Sequence, residues 1–265
     1  MPPTRRGYGL LWPLLQPKSV PVEADEYTLM DGAEQAMWWY RAMHGHAAAA
    51  LPAALPDALP GGGALLDAGC GTGGFLARLG RRGCMGLEYN PAAARRAAEK
   101  SAACVVAGSV NELPFGDASF AAITSLDVLC HAGAEPGALL AESFRVLRPG
   151  GRLVLNLPAL PWLRSAHDAR VFTVRRYTRA SITAQLQAAG YVDIRARYWN
   201  ALLLPVMIVQ RKVLSRGEGA ASDVGTFPAW LDALLFAATR LEARLMRLGL
   251  NFPVGGSLIV TATRP

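Results

Sequence analysis

A chain of 265 residues, 52% hydrophobic and 18% charged, has enough apolar side chain to fill one α/β domain with insertions, which excludes a disordered chain. The mean hydropathy is +0.21, yet the longest apolar runs, Leu10–Leu15 and Ala201–Val209, contain Pro13 and Pro205 and fall far short of the roughly 20 residues of a spanning helix. The net charge of +7 is local, with ten Arg/Lys between Arg164 and Arg216 against Asp168 and Asp193, and it suits an anionic partner, a membrane surface or a solvated face, with no nucleic-acid motif beside it.

Residues 1–30 are proline-rich and read as an irregular arm, with no signal peptide legible after Arg5 and Arg6. Asp31 is placed to cap a helix running to about Ala50, and Pro52–Gly63 forms a linker. Short apolar runs then alternate with helical patterns, which predicts βαβ units and a parallel sheet. The expected strands are Ala64–Asp67, Cys84–Glu88, Ala103–Ala107, Phe120–Ser125 and Arg152–Leu157. The expected helices are Gly74–Gly80, Pro91–Lys100 and Pro136–Leu147. A helix at Ala180–Ala189 and strands at Tyr191–Trp199 and Ser257–Thr263 follow. Between the last two strands lie some fifty residues, too many for a structureless loop. They hold Ala201–Leu214 and Pro228–Leu248, where Leu231, Leu234, Leu235, Leu241, Leu245 and Leu248 recur at helical spacing. The expected organisation is an arm and helix over 1–60, a core over 61–200, a helical cap over 201–256 and a final core strand over 257–265. Cys70, Cys84, Cys104 and Cys130 form no CxxC pair and no metal-ligand spacing, so reduced thiols, no metal and a cytoplasmic setting are expected.

The run Leu65-Leu66-Asp67-Ala68-Gly69-Cys70-Gly71-Thr72-Gly73-Gly74 is a buried strand, a glycine turn and a helix start. Glycines there let the backbone approach a ligand closely. Gly69, Gly71 and Gly74 satisfy GxGxxG and Glu88 ends the next strand, a layout that a dinucleotide fold shares. Asp67 separates the two readings. A carboxylate at the mouth of the first strand repels a pyrophosphate and favours a ligand bearing an ammonium group, which S-adenosylmethionine has and NAD lacks. Glu88 suits a vicinal diol. Turn capping by Asp67 and a solvent-facing Glu88 are the bland alternatives.

The segment LLDAGCGTGGFLARL resembles the first motif of class I methyltransferases. LPFGDASFAAITSLDVLCH resembles the approach to and passage through their fourth strand, and ESFRVLRPGGRLVLNLPA their entrance to the fifth. The resemblance covers roughly residues 60–200. It implies a Rossmann-like α/β fold: a seven-stranded sheet, mostly parallel with an antiparallel last strand, helices on both faces and, here, the helical cap. It also implies S-adenosyl-L-methionine as cofactor, held by Asp67, Gly69, Gly71, Gly73, Glu88 and the turn at Gly108–Val110. Tyr89 would flank the adenine and Leu126 would sit over the methyl-donor end. The family usually has Asp where this chain has Ser109, an uncharged and weaker acceptor for the adenine amino group.

Residues 158–179, PALPWLRSAHDARVFTVRRYTR, resemble a bacterial methyltransferase subgroup with an HD-x-RRYT-like segment. The subgroup's second His is Thr173 here, so no role for that His carries over. The functional reading gives His167, His131 and Tyr177 catalytic work as base or orienter. It has Arg175 or Arg176 hold an anionic group of the substrate, with Asp168 also among the substrate-binding residues. The alternative reading fastens a lid with the same residues. The expected activity is methyl transfer to a small, anionic or lipid-like metabolite, driven by positioning. A nicotinamide-dependent oxidoreductase and a non-catalytic cofactor-binding protein are the rivals. The expected partner is a small-molecule substrate, anionic or lipid-linked; a peripheral membrane contact and a homodimer stay open, and nucleic acid is disfavoured.

Overall fold

The computed structural model describes residues 24–53, 55, 64–80, 83–164, 168, 172–209 and 227–265. Seven strands form one sheet: β1 Leu65–Ala68, β2 Cys84–Glu88, β3 Cys104–Ala107, β4 Phe120–Leu126, β5 Leu147–Pro158, β6 Val192–Trp199 and β7 Ser257–Thr263. Their order is β3-β2-β1-β4-β5-β7-β6, and only β7 runs against its neighbours. The order reverses at β1, so the crevice beside the carboxyl ends of β1 and β4 is where such a sheet receives a ligand. β1 is buried at all four positions, as a central parallel strand must be.

The helices are α1 Ala24–Ala33, α2 Trp38–Ala50, α3 Gly74–Leu79, α4 Pro91–Ser101, α5 Pro136–Val146, α6 Arg179–Ala188, α7 Leu204–Val209 and α8 Ala229–Arg247. One core holds Leu139, Leu140 and Val146 of α5 and Ile182 and Leu186 of α6 against the sheet. The other holds Met43 and Ala47 of α2, Phe75 of α3, Ala97 of α4 and Met246 of α8. Local chemistry sets several boundaries. Asn90 caps α4 by accepting from the Ala92 and Ala93 amides, with Pro91 at the first helical position. Thr178 and Ser181 form a reciprocal capping box on α6.

Two expectations are corrected here. The helix ending at Ala50 is two helices, and its break lies between Ala33 and Trp38. Asp31 is inside α1 and caps nothing; its carboxylate pairs with Arg96 and Lys100 of α4. Residues 24–30, expected to be irregular, form most of α1. The remainder of the expected arm (1–23), residues 56–63 of the linker and the stretch 210–226 lie outside the described residues. The insertion after β6 contributes α7 and α8. α8 lies on α2, where Asp232 accepts from the Trp38 amide at 2.7 Å and from Arg41 at 2.5 Å. Of its leucines, Leu231, Leu235 and Leu245 are partly covered, whereas Leu234, Leu241 and Leu248 face outward.

Candidate cofactor and acceptor site

The turn between β1 and α3 needs its glycines. Gly69, Gly71 and Gly73 have φ of 83°, 55° and 88°, a region that side chains with a Cβ rarely adopt. A Cβ on Gly69 would stand 2.4 Å from Val128 Cγ2, one on Gly71 2.7 Å from Met30 Cε, and one on Gly73 2.7 Å from the Ala97 backbone. The turn is thus walled by the loop after β4, by α1 and by α4. Beneath it Asp67 is buried, and its Oδ1 accepts from the Thr124 hydroxyl at 2.7 Å. Burial, offset in part by that hydrogen bond, pushes the Asp67 carboxyl up to about 7, with Glu34 and Glu88 adding repulsion.

Glu88 closes the other side. Its Oε2 accepts from the Gly71 amide at 2.9 Å, and its Oε1 accepts from the Asn90 amide and the Tyr27 hydroxyl at 3.0 and 2.9 Å. Burial and the neighbouring carboxylate hold the Tyr27 hydroxyl in its protonated, donating form. Glu34 accepts from the Thr72 hydroxyl at 2.7 Å and pairs with Lys100. Tyr27, Met30 and Glu34 all belong to α1 or the residue after it. Sequence reading assigned α1 no role, because nothing local in an arm reports contacts 61 and 38 residues away.

The donor set fits a cofactor with an ammonium and a diol: Asp67, Glu34 and Glu88 are acidic, and the glycine turn leaves room only for backbone. The other expected cofactor contacts fall along the same edge. Tyr89 is 37% exposed at the end of β2, Val110 is buried after β3, and Leu126 ends β4 against the α2 side of the sheet. Ser109 Oγ accepts from the Asn111 amide, so one of its lone pairs is already engaged.

The basic segment after β5 is a fastening system. Arg176 pairs with Asp168 at 2.7 Å, both side chains almost fully buried, and donates to the Ala159 carbonyl. Arg175 donates to the carbonyls of His131 and Ala134. The buried pair corrects the assignment of Asp168 and Arg176 to substrate, since a buried guanidinium released from its carboxylate would leave a costly unpaired charge, whereas the partly buried Arg175 uses one nitrogen for its two carbonyls. Tyr177 is corrected likewise. It is buried, its hydroxyl donates to the Leu129 carbonyl at 3.0 Å, and burial pushes its pKa up to about 12, so it does not serve as a base. His131 sits on the loop after β4, bridged to Thr173. His167 lies outside the described residues.

One group that sequence reading passed over stands at this edge. Asp127 follows β4 with φ 55°, a conformation Asp tolerates better than most residues. Its Oδ1 accepts from Asn156 Nδ2 at 3.0 Å, and Asn156 Oδ1 accepts from Trp199 Nε1 at 2.9 Å.

Residues 66–155 match the family model described as a methyltransferase domain. A probable S-adenosylmethionine-dependent methyltransferase of Mycolicibacterium smegmatis is 32% identical over 133 residues, 48% of this chain and 51% of that one. The chain spans about half the length of the curated relatives it matches first. Among solved structures, an S-adenosylmethionine-dependent methyltransferase of Thermotoga maritima superposes with a TM-score of 0.60 at 16% identity, covering 91% of this chain and 95% of that one. Geranyl diphosphate C-methyltransferase of Streptomyces coelicolor, solved with geranyl diphosphate and S-adenosyl-L-homocysteine, gives 0.54 at 15% identity, covering 85% and 79%.

Proposed function

Because this chain is built on a class I, S-adenosylmethionine-dependent methyltransferase domain, we propose that it transfers a methyl group from S-adenosylmethionine to an amphipathic, lipid-like acceptor. The observation that carries the donor half is Asp67, buried under the glycine turn with Glu34 and Glu88 near enough to raise its pKa. Asp67 and Glu88 there would repel a diphosphate and attract an ammonium, Glu34 being already paired with Lys100. Asp67 takes the amino acid end of the cofactor, Glu88 its ribose hydroxyls, and Tyr89, Ser109 and Val110 its adenine. The bound cofactor supplies a methyl on a positively charged sulfur, a group that leaves readily. The chain's own contribution is alignment and exclusion of water, and α1 over the turn serves the second purpose. Titration calorimetry with S-adenosylmethionine, S-adenosylhomocysteine and NAD tests this half: the first two bind and NAD does not. Binding of NAD alone would overturn it.

The acceptor half rests on the groove of about 560 Å³ between the α1–α2 junction and α8, with Met37, Phe227 and Phe236 for apolar contact and Arg240 for a polar head, Arg41 being paired with Asp232. The outer face of α8 continues the theme. Trp230, Leu234, Leu241 and Leu248 are exposed beside Arg240, Arg244 and Arg247. Among the described residues no helix is long and apolar enough to cross a membrane. A helix with such a face lies on an anionic surface. We therefore assign α7 and α8 as a cap that meets the acceptor at a cytoplasmic membrane surface.

A further inference from the structure

Methyl transfer to an O–H or N–H acceptor releases a proton. Of the three residues first considered for it, Tyr177 is committed to Leu129, His167 is outside the described residues, and His131 lies four positions further along the loop than Asp127. Asp127 stands nearer the donor turn. It is the first residue after β4, the strand paired directly with β1 through Asp67 and Thr124. The next residue, Val128, is the side chain that closes on Gly69. The loop bearing Asp127 is therefore one wall of the glycine turn, on the side of the β4 and β5 ends.

Its carboxylate is aimed by a chain of donors. The indole of Trp199 can only donate, so Asn156 must present its oxygen to Trp199 and its amide hydrogens to Asp127. Trp199 and Asn156 are fully buried, which fixes that direction. Asp127 itself is partly buried, and among the described residues its side-chain hydrogen bond to Asn156 engages Oδ1. The titratable and charged groups beside it are Arg176, Asp168 and Cys130: the Asn156 hydrogen bond and Arg176 lower its pKa, Asp168 raises it, and burial keeps the Cys130 thiol protonated and uncharged. Burial dominates and lifts the carboxyl to about 7, a poise suited to taking a proton near neutrality.

We propose that Asp127 faces the transferred methyl and is the base that receives the acceptor's proton, oriented by Trp199 through Asn156. This inference rests on the methyltransferase reading above. As the acceptor's lone pair forms its bond to the methyl carbon, the carbon–sulfur bond breaks and sulfur keeps the bonding pair. The acceptor's proton passes to an Asp127 oxygen, so a carboxylate and a sulfonium end as a carboxylic acid and a thioether. The acid then returns its proton to water.

The test needs no acceptor. Sinefungin carries an amine where the donor carries its methyl, whereas S-adenosylhomocysteine has nothing there. If Asp127 faces that point, the wild-type chain prefers sinefungin over S-adenosylhomocysteine by roughly tenfold at pH 8, as expected of a hydrogen bond between charged groups. The preference collapses towards parity in Asp127→Asn, while affinity for S-adenosylhomocysteine is unchanged. In the wild type the ratio also falls on going from pH 8 to pH 6 as the carboxylate is protonated; Asp67 meets the amino acid end of both ligands and cancels. Equal affinities in the wild type, or a preference that survives in Asp127→Asn, overturns the proposal. If Asp127→Asn does not fold, the wild-type pH ratio decides, and a flat ratio overturns it. Failure of the wild type to bind S-adenosylhomocysteine at all overturns the donor reading instead, and this inference falls with it.

Discussion

Burial beneath the glycine turn makes Asp67 expensive to keep charged. A carboxyl that ionises at 3.8 in the unfolded chain and at about 7 in the folded one favours folding fully below its unfolded pKa. That support is lost progressively as pH rises through the folded value. Asp127 acts with the same sign. Removing the charge at Asp67 should thus stabilise the ligand-free chain at pH 8 and harm the cofactor site. Asp67→Asn is expected to raise the thermal midpoint at pH 8 by roughly 2–4 °C, seen by scanning calorimetry. The same variant should weaken S-adenosylhomocysteine binding by about 10- to 100-fold, the worth of a hydrogen bond between charged groups. An unaltered affinity would show that the carboxylate serves the turn alone. At this scale sequence was informative where a motif carries its own chemistry: Asp67, Glu88 and the glycines stand where the pattern put them. Asp127 lay inside a recognised segment and went unread, since its meaning depends on Asn156 and Trp199, 29 and 72 positions on. Arg175 and Arg176 were read as ligand groups because their partners, backbone carbonyls and one buried carboxylate, leave no trace in local sequence.

Alternation of strand and helix made the core elements legible, and Cys84–Glu88 and Ser257–Thr263 match the expected strands end to end. The helices at the edges were harder. α1 has charged and apolar residues with no clear helical face, so its stability comes from docking: Asp31 to Arg96 and Lys100, Glu34 to Thr72 and Lys100, Tyr27 to Glu88. Only the folded sheet brings those partners together. α8 was legible as a helix, but its leucine spacing did not say which leucines would be covered, because the covering surface belongs to α2, nearly two hundred residues earlier. The docking of α1 yields a test of its own. Tyr27→Phe removes the hydroxyl that engages Glu88 in the ligand-free chain, so the ribose no longer displaces it. The expected result is tighter binding of S-adenosylhomocysteine by about fivefold, corresponding to roughly 1 kcal/mol, measured by calorimetry. Weaker binding would mean that Tyr27 helps hold the cofactor.

Across the whole molecule, charge and exposed apolar surface point the same way. The net charge of +7 was legible, but much of the basic segment after β5 is spent on internal bonds, with Arg175, Arg176 and Arg179 donating to carbonyls within the fold. On α8, Arg240, Arg244 and Arg247 face outward beside exposed apolar residues. Vesicles containing anionic phospholipid should therefore co-sediment the protein, neutral vesicles should not, and raised salt should release it. Trp230→Ser with Leu234→Ser should weaken that binding at least severalfold while leaving S-adenosylhomocysteine affinity intact. Equal sedimentation with both vesicle types would remove the membrane from the picture.

If Glu88 takes the ribose hydroxyls as proposed, the phenol of Tyr27 resting on Glu88 makes donor capture a swap of partners, not a simple addition. Tethered to the same chain, that phenol is a built-in competitor at high effective concentration, ready to reclaim the carboxylate whenever the ribose lifts away. Spent donor has lost its positive sulfur but still carries its diol, so its hold on the acidic crevice is already weaker, and an intramolecular rival hastens its departure. Turnover in such an enzyme would be paced by how readily one N-terminal helix returns to its resting contact.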